Sequence, residues 1–313
     1  MSGRASGGRP LLGYAEAMAA AFLWGSSGVF AVHLFRMGVP PETVALMRPI
    51  AGVVLLSAGF LVTRPALLRI GRRELLFIGL GGGTAVGVFQ VAYQQSIDAA
   101  GVPTTVALLY LAPALVAAAS GPLLGEWPSA RRLALIALTL AGVWLTVSGA
   151  EEIETRFGAT GLGWGILAAA AYAAYTLFGR YATPRFGSAR TVVYSTAGAC
   201  AFLALAVPAA PGPLTLPPTS GAWLLLAVFG ALTIAGAQFL FFDALGRIEA
   251  SAASVVTAVE PVVAALLATT LLSQGLSPLG WIGIALVVAG VAGVGLTARA
   301  QAATPDDVLG AMP

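Results

Sequence analysis

Ten times between residues 13 and 297 the chain runs for about twenty residues almost without charge. That length crosses the ~30 Å hydrocarbon core of a bilayer as a helix. The runs cover roughly 13–34, 42–63, 74–96, 102–124, 131–149, 161–182, 190–208, 221–243, 251–272 and 278–297. Backbone in lipid must satisfy its own polar groups, so each run is expected to be helical and the fold all-α and polytopic. Composition agrees: 9% of the residues are charged, against about 25% in soluble domains. The first run exceeds the ~7–15 residues of a signal-peptide core and is read as retained.

Arginine sets the orientation, since all 16 basic residues are arginine and lysine is absent. With the amino terminus inside, thirteen arginines fall in cytoplasmic segments and two, Arg36 and Arg156, in outer loops, while Arg48 lies within a run. The positive-inside rule then places both termini in the cytoplasm. Residues 1–12 form a cytoplasmic lead, 150–160 an outer linker beside Glu151, Glu152 and Glu154, and 298–313 a cytoplasmic tail. The net charge of +3 gives no nucleic-acid face, because the arginines are scattered through short gaps without interleaved aromatics. Lone Cys200, in an apolar run, excludes an intramolecular disulfide and reads as a buried hydrophobe.

A constant shift of 148 residues relates the two halves. It carries Gln90 onto Gln238, Pro113 onto Pro261, Leu123-Leu124 onto Leu271-Leu272, Ile136-Ala137 onto Ile284-Ala285 and Ala141-Gly142-Val143 onto Ala289-Gly290-Val291. Residues 13–149 and 161–297 therefore form two five-helix repeats. Five is odd, so the second repeat enters the membrane from the opposite side, and substrate sites occur at the interface of such inverted repeats. Pro113 and Pro261 each interrupt an apolar run. Each removes a backbone donor and frees a carbonyl, so the pair is expected to kink matching helices and act as hinges around a cavity.

Trp24-Gly25-Ser26-Ser27, the two mid-helix prolines, Gly125-Glu126 after the fourth run and Glu260-Pro261 in the ninth together resemble the EamA-type drug/metabolite transporter superfamily over residues 14–297. The resemblance implies a ten-helix inverted-repeat carrier of small metabolites, and within it the amino-acid exporter branch, aromatic amino-acid exporters included. The pattern departs in the second half, where Tyr172-Ala173-Ala174-Tyr175 replaces the tryptophan motif and Gln274 stands in place of Glu126.

Glu260 lies about 14 Å into its run, where a charge faces a cavity or a partner. It reads as a proton-coupling or ammonium-receiving group, or as a carboxyl bonded to backbone at the proline. Arg48, about 9 Å from the outer end of the second run, either holds a substrate carboxylate, snorkels to the interface, or neutralises Glu260. Gln90 and Gln238 suit a zwitterion's polar groups and inter-helix bonding equally. Trp24, Ser27, Tyr93, Tyr110, Tyr172 and Tyr175 are further cavity candidates, and aromatics also serve as packing. Trp127, Trp164, Trp223 and Trp281 sit at run ends as interface anchors. Asp243 and Arg247 have the spacing of an i,i+4 pair, His33 is interfacial, and Gly81-Gly82-Gly83 marks close helix packing.

No zinc-hydrolase signature occurs, and one interfacial histidine with no deep aspartate pair leaves no serine or aspartyl catalyst, so no enzyme, metal or cofactor is expected. The expected function is a secondary transporter in the inner membrane that exports small amphipathic metabolites, amino acids foremost, by alternating access. Its partners are that substrate, lipid and, in one reading, protons. A broad-specificity or nucleotide-sugar-type carrier is the alternative, followed by a channel.

Overall fold

The structure, a computed structural model, describes residues 9–148, 158–206, 215–271 and 277–302. Its regular elements are all helices. Eight stretches are long and apolar enough to span a membrane: Pro10–Arg36, Glu42–Thr63, Arg72–Tyr93, Thr105–Leu124, Ala130–Ser148, Ala159–Phe186, Ser220–Leu245 and Ala250–Leu267. Helices Ser188–Ala206 and Pro278–Ala302 stand at the other two expected runs. Some boundaries move. Helix α1 (Arg9–Gly25) takes in the end of the expected lead. Helix α14 (Pro278–Ala302) runs into the expected tail, and α8 (Ala159–Phe186) starts inside the expected linker. The rest of lead, linker and tail, with Arg156, Leu272 and Gln274, lies outside the described residues.

The first run breaks at Ser26 into α1 and α2 (Ser27–Arg36), and α3 (Pro41–Thr63) forms the second. A short α4 (Arg72–Leu76) leads through a π-helical turn, Phe77–Gly82, into α5 (Gly83–Leu109). Helical geometry is continuous along α5, yet Ser96 Oγ lies 2.8 Å from Thr105 Oγ1. Nine residues of straight helix would separate them by about 13 Å. The chain therefore folds back between these residues, and α5 holds the end of the third run and the start of the fourth.

At each expected proline kink the α-helical bonding is interrupted for two residues, while the backbone stays near helical and closes tighter bonds, Leu111 N–H to Leu108 O at 3.0 Å and Val259 N–H to Val256 O at 3.2 Å. The fourth run stops at Leu109 and resumes as α6 (Ala112–Leu124), while α12 (Ala250–Thr257) stops and resumes as α13 (Glu260–Leu271). The 148-residue shift superposes the two gaps, Tyr110-Leu111 on Ala258-Val259. In each, proline sits at the second position of the new helix, where its missing N–H costs no intrahelical bond. Gly125 ends α6 with φ +74, and Glu126 N–H reaches back to Ser120 O at 3.1 Å, a left-handed stop suited to glycine.

Packing repeats under the same shift. Helix α7 (Ala130–Ser148) lies along α14, where a Cβ on Gly142 would meet Val287 N at 2.7 Å and one on Gly290 would meet Thr139 Oγ1. The third run crosses α9 (Ser188–Ala206) so closely that a Cβ on Gly83 would lie 2.7 Å from Gly198 C. In the other half, α10 (Ser220–Gly230) and the π-helical turn after it, Ala231–Gln238, cross α3, and a Cβ on Gly230 would lie 2.7 Å from Arg48 O. Glycine lets the backbones approach where lipid offers no hydrophobic drive. These crossings hold the helix interruptions face to face.

Candidate functional site

The two helix interruptions meet at a central cavity of about 50 Å³. At roughly 10–15 Å³ per water, it has room for a few waters in this conformation. Nine of the ten cavity candidates line it: Trp24, Ser27, Arg48, Gln90, Tyr93, Tyr172, Tyr175, Gln238 and Glu260. The tenth, Tyr110, reaches in from the first interruption and donates its hydroxyl to Glu260 Oε2 at 3.1 Å. Tyr110 and Glu260 are 150 residues apart, so this bond ties the two interrupted helices together. Glu260 opens α13, where the helix dipole favours a negative charge. Pro113 and Pro261 are both buried beside the interruptions.

Arg48 is 8% exposed and neither snorkels nor pairs with Glu260. Its Nη2 donates to Gln90 Oε1 at 2.7 Å, its guanidinium stands 4.9 Å from the Phe229 ring centroid, and its Nε has no hydrogen-bond partner. Among the described residues no carboxylate lies within 4 Å of it. Burying an unpaired charge costs several kcal/mol, and a cation–π contact returns only about 0.5–2. Gln238, the shifted copy of Gln90, donates from Nε2 to Thr196 Oγ1 at 3.2 Å. Thr196 is the shifted copy of Arg48, so one contact is built twice and charged once.

Aromatic rings form the walls. Trp24 and Tyr172, copies of one another under the shift, meet edge to face with centroids 6.4 Å apart. Tyr172 and Tyr175 stand 4.8 Å apart, and Phe89 packs on Tyr93, Tyr172 and Tyr175. Trp24 Nε1 donates to Thr233 O at 2.9 Å, a carbonyl in the second π-helical turn. Gly25 allows the first run to touch the second interruption, since a Cβ there would lie 2.6 Å from Val263 Cβ and 3.0 Å from Glu260 O. Sequence reading missed Val86, Phe89, Leu109 and Ile234, which also line the cavity. Phe89 had a signal in its place beside Gln90; the aliphatic three had none.

At the arginine-rich end the buried and half-buried charges are paired instead. Glu126 accepts from Arg180 Nε at 2.5 Å and from the Ala250 N–H at 3.1 Å, and Arg180 also donates to Leu245 O at 2.9 Å. That group joins the end of α6, α8, the end of α11 (Phe239–Leu245) and the start of α12. Arg132 pairs with Glu249, and Arg247 lies 2.6 Å from Asp243 Oδ2, the expected i,i+4 pair, and 3.5 Å from buried Glu16. Glu16 was also missed, though a carboxylate inside the first apolar run was a signal. His33 is exposed and bonded to its own helix at Val29 O, and Trp127, Trp223 and Trp281 are exposed.

The sequence profile of the EamA-like transporter family matches residues 11–148 and again 159–296. The chain belongs to this family, within the drug/metabolite transporter superfamily. The two matched stretches stand in the same 148-residue register as the helix interruptions. This EamA-like chain is 25% identical over 290 residues to the uncharacterized transporter YwfM of Bacillus subtilis, spanning 90% of this chain and 93% of that one. It is 26% identical over 299 residues to the uncharacterized inner membrane transporter YicL of Salmonella typhimurium, spanning 93% and 97%. A protein of known crystal structure shares its fold with a TM-score of 0.76 at 20% identity, over 94% of this chain and all of the other. The protein is thus a multi-pass membrane protein of a transporter family.

Proposed function

We propose that this EamA-like protein is a secondary transporter that exports small zwitterions, amino acids with apolar or aromatic side chains foremost, across the bacterial inner membrane. The observation that carries this is a buried arginine and a carboxylate, Arg48 and Glu260, facing one aromatic-walled cavity without pairing to each other. A zwitterion supplies the missing partner to each. Its carboxylate lies on the planar guanidinium fork, its ammonium on Glu260, and its side chain among Trp24, Phe89, Tyr93 and Tyr172.

In this proposal ten helices form two inverted five-helix repeats, 13–149 and 161–297, with both termini cytoplasmic. Support comes from interruptions that coincide under the shift and from equivalent contacts on the two sides. One repeat rocks on the other about the interruptions at Pro113 and Pro261, opening the cavity to alternate faces. The ion-paired arginine-rich end closes the cytoplasmic side in this conformation. Glu260 hands its charge between substrate ammonium and a proton, which couples export to proton entry.

Counterflow in proteoliposomes tests the proposal. Vesicles loaded with unlabelled phenylalanine or leucine should accumulate the labelled amino acid transiently, with saturation, and a proton gradient should accelerate it. Flux that neither saturates nor counterflows would mean a channel, and counterflow confined to nucleotide sugars would mean the other carrier class. Either result sinks the reading.

A further inference from the structure

A second concavity lies on the outer face of the bundle, on the far side of α8 from the central cavity. Its volume is about 760 Å³, within the ~300–1,000 Å³ of ligand pockets. Phe77, Leu115 and Tyr181 stand as walls, and the small side chains of Ala118, Ala170 and Ala174 leave the hollow between them. Those three alanines are exposed. The lining is apolar apart from the Tyr181 hydroxyl.

Along α8 the groove runs from Ala170 to Tyr181, about 16 Å of helix. That is the depth of one leaflet, half of the ~30 Å hydrocarbon core. Its shallow end is basic. The Arg185 guanidinium stacks 3.7 Å over the Tyr181 ring centroid, and Arg73 stands one helical turn before Phe77. Both arginines are exposed, and among the described residues neither has a carboxylate within 4 Å. Several exposed arginines at this end lack an ion pair among the described residues; Arg73 and Arg185 are the two beside the groove's walls, Arg185 over Tyr181 and Arg73 one turn from Phe77.

We propose that this groove is a binding site for one anionic phospholipid, an acyl chain lying over Ala118, Ala170 and Ala174 and the phosphate held by Arg185 and Arg73. Basic pockets at helix ends hold anionic headgroups, at about one arginine's worth of surface attraction each. A zwitterionic lipid gains less because its own ammonium competes for the phosphate.

Native mass spectrometry of the full chain, released from detergent after incubation with palmitoyl-oleoyl phosphatidylglycerol or phosphatidylcholine, tests this. The expected result is a single-lipid adduct with phosphatidylglycerol about fivefold more abundant than with phosphatidylcholine. Ala174→Phe and Ala118→Phe, at exposed positions that fold without repacking, should each reduce the adduct to background. Arg73→Gln with Arg185→Gln should keep a weak adduct and lose the headgroup preference. Equal binding of the two lipids by the wild type, or an undiminished adduct in both phenylalanine variants, overturns the site. So does a lipid-free dimer that Ala174→Phe abolishes, which would assign the groove to a second copy of the chain.

Discussion

Arg48 with Gln90 and Thr196 with Gln238 are one contact made twice, at positions 148 residues apart, in the two halves of the protein. The glutamine is retained in both and bonds across to the same neighbouring helix position. The partner differs: a guanidinium in the first copy, a hydroxyl in the second. Other copies differ likewise. Tyr110 and Glu260 bond to each other, while their shifted equivalents are Ala258 and Ala112. The matching glutamines hold helices together, and two of the positions that differ, Arg48 and Glu260, bring charge to the cavity. A chamber with a cation on one repeat and a carboxylate on the other has a direction, which the proposed zwitterion would use end to end.

The largest effect should come from erasing the asymmetry. Arg48→Thr makes the first copy resemble the second and leaves Gln90 without its donor. Truncating one partner of a buried charged contact costs about 2–5 kcal/mol, so kcat/KM for labelled amino acid uptake should fall about a hundredfold. Thr196→Ala, at the uncharged copy, should change it less than about threefold. Comparable losses in both variants would show that the charge carries no ligand.

Next comes Glu260→Gln, which keeps the shape and the bond from Tyr110 but removes the charge. Uptake should fall about tenfold, and its response to an imposed proton gradient should flatten. Normal exchange with an unchanged gradient response removes Glu260 from proton coupling.

A smaller contrast concerns Gly25, whose copy is Ala173. Although the second half accepts alanine there, Gly25→Ala should lower stability by about 1–3 kcal/mol, because the added Cβ meets Val263 at 2.6 Å. Thermal unfolding in detergent should register this as a drop in Tm. Gly28→Ala, with open space around it, should leave Tm unchanged or raise it. The smallest effect belongs to Tyr110→Phe, which deletes one hydrogen bond of about 1 kcal/mol and should raise KM about fivefold with little change in Tm.

Much of the candidate site was legible in the amino-acid sequence. Depth along a run singles out Glu260 and Arg48, because a charge in hydrocarbon demands a reason. The fixed shift singles out the paired glutamines and prolines. What each charge touches was not legible. Arg48 has three readings open in the sequence, and only its burial against Gln90 and Phe229, with no carboxylate within 4 Å among the described residues, excludes snorkelling and a direct ion pair. The prolines stand at helix kinks, as their place in the runs implies; that each kink closes with tighter backbone bonds at the two residues before the new helix is seen only in the structure. The fold-back between Ser96 and Thr105 was legible as the gap between the runs at 74–96 and 102–124; that helical turns continue through it was not.

By itself the sequence determined the solvent, the helices and the duplication. Each depends on run length, composition or register, which are properties of a chain read in one dimension. Tertiary structure decided which groups meet. A helix apolar toward lipid and apolar toward its neighbours carries no stripe to say which way it faces. Rotation about each axis is then set by close contacts such as Gly25 on α13 and Gly83 on α9. Those contacts put Tyr110 within 3.1 Å of a carboxylate 150 residues away and leave Arg48 with none within 4 Å among the described residues.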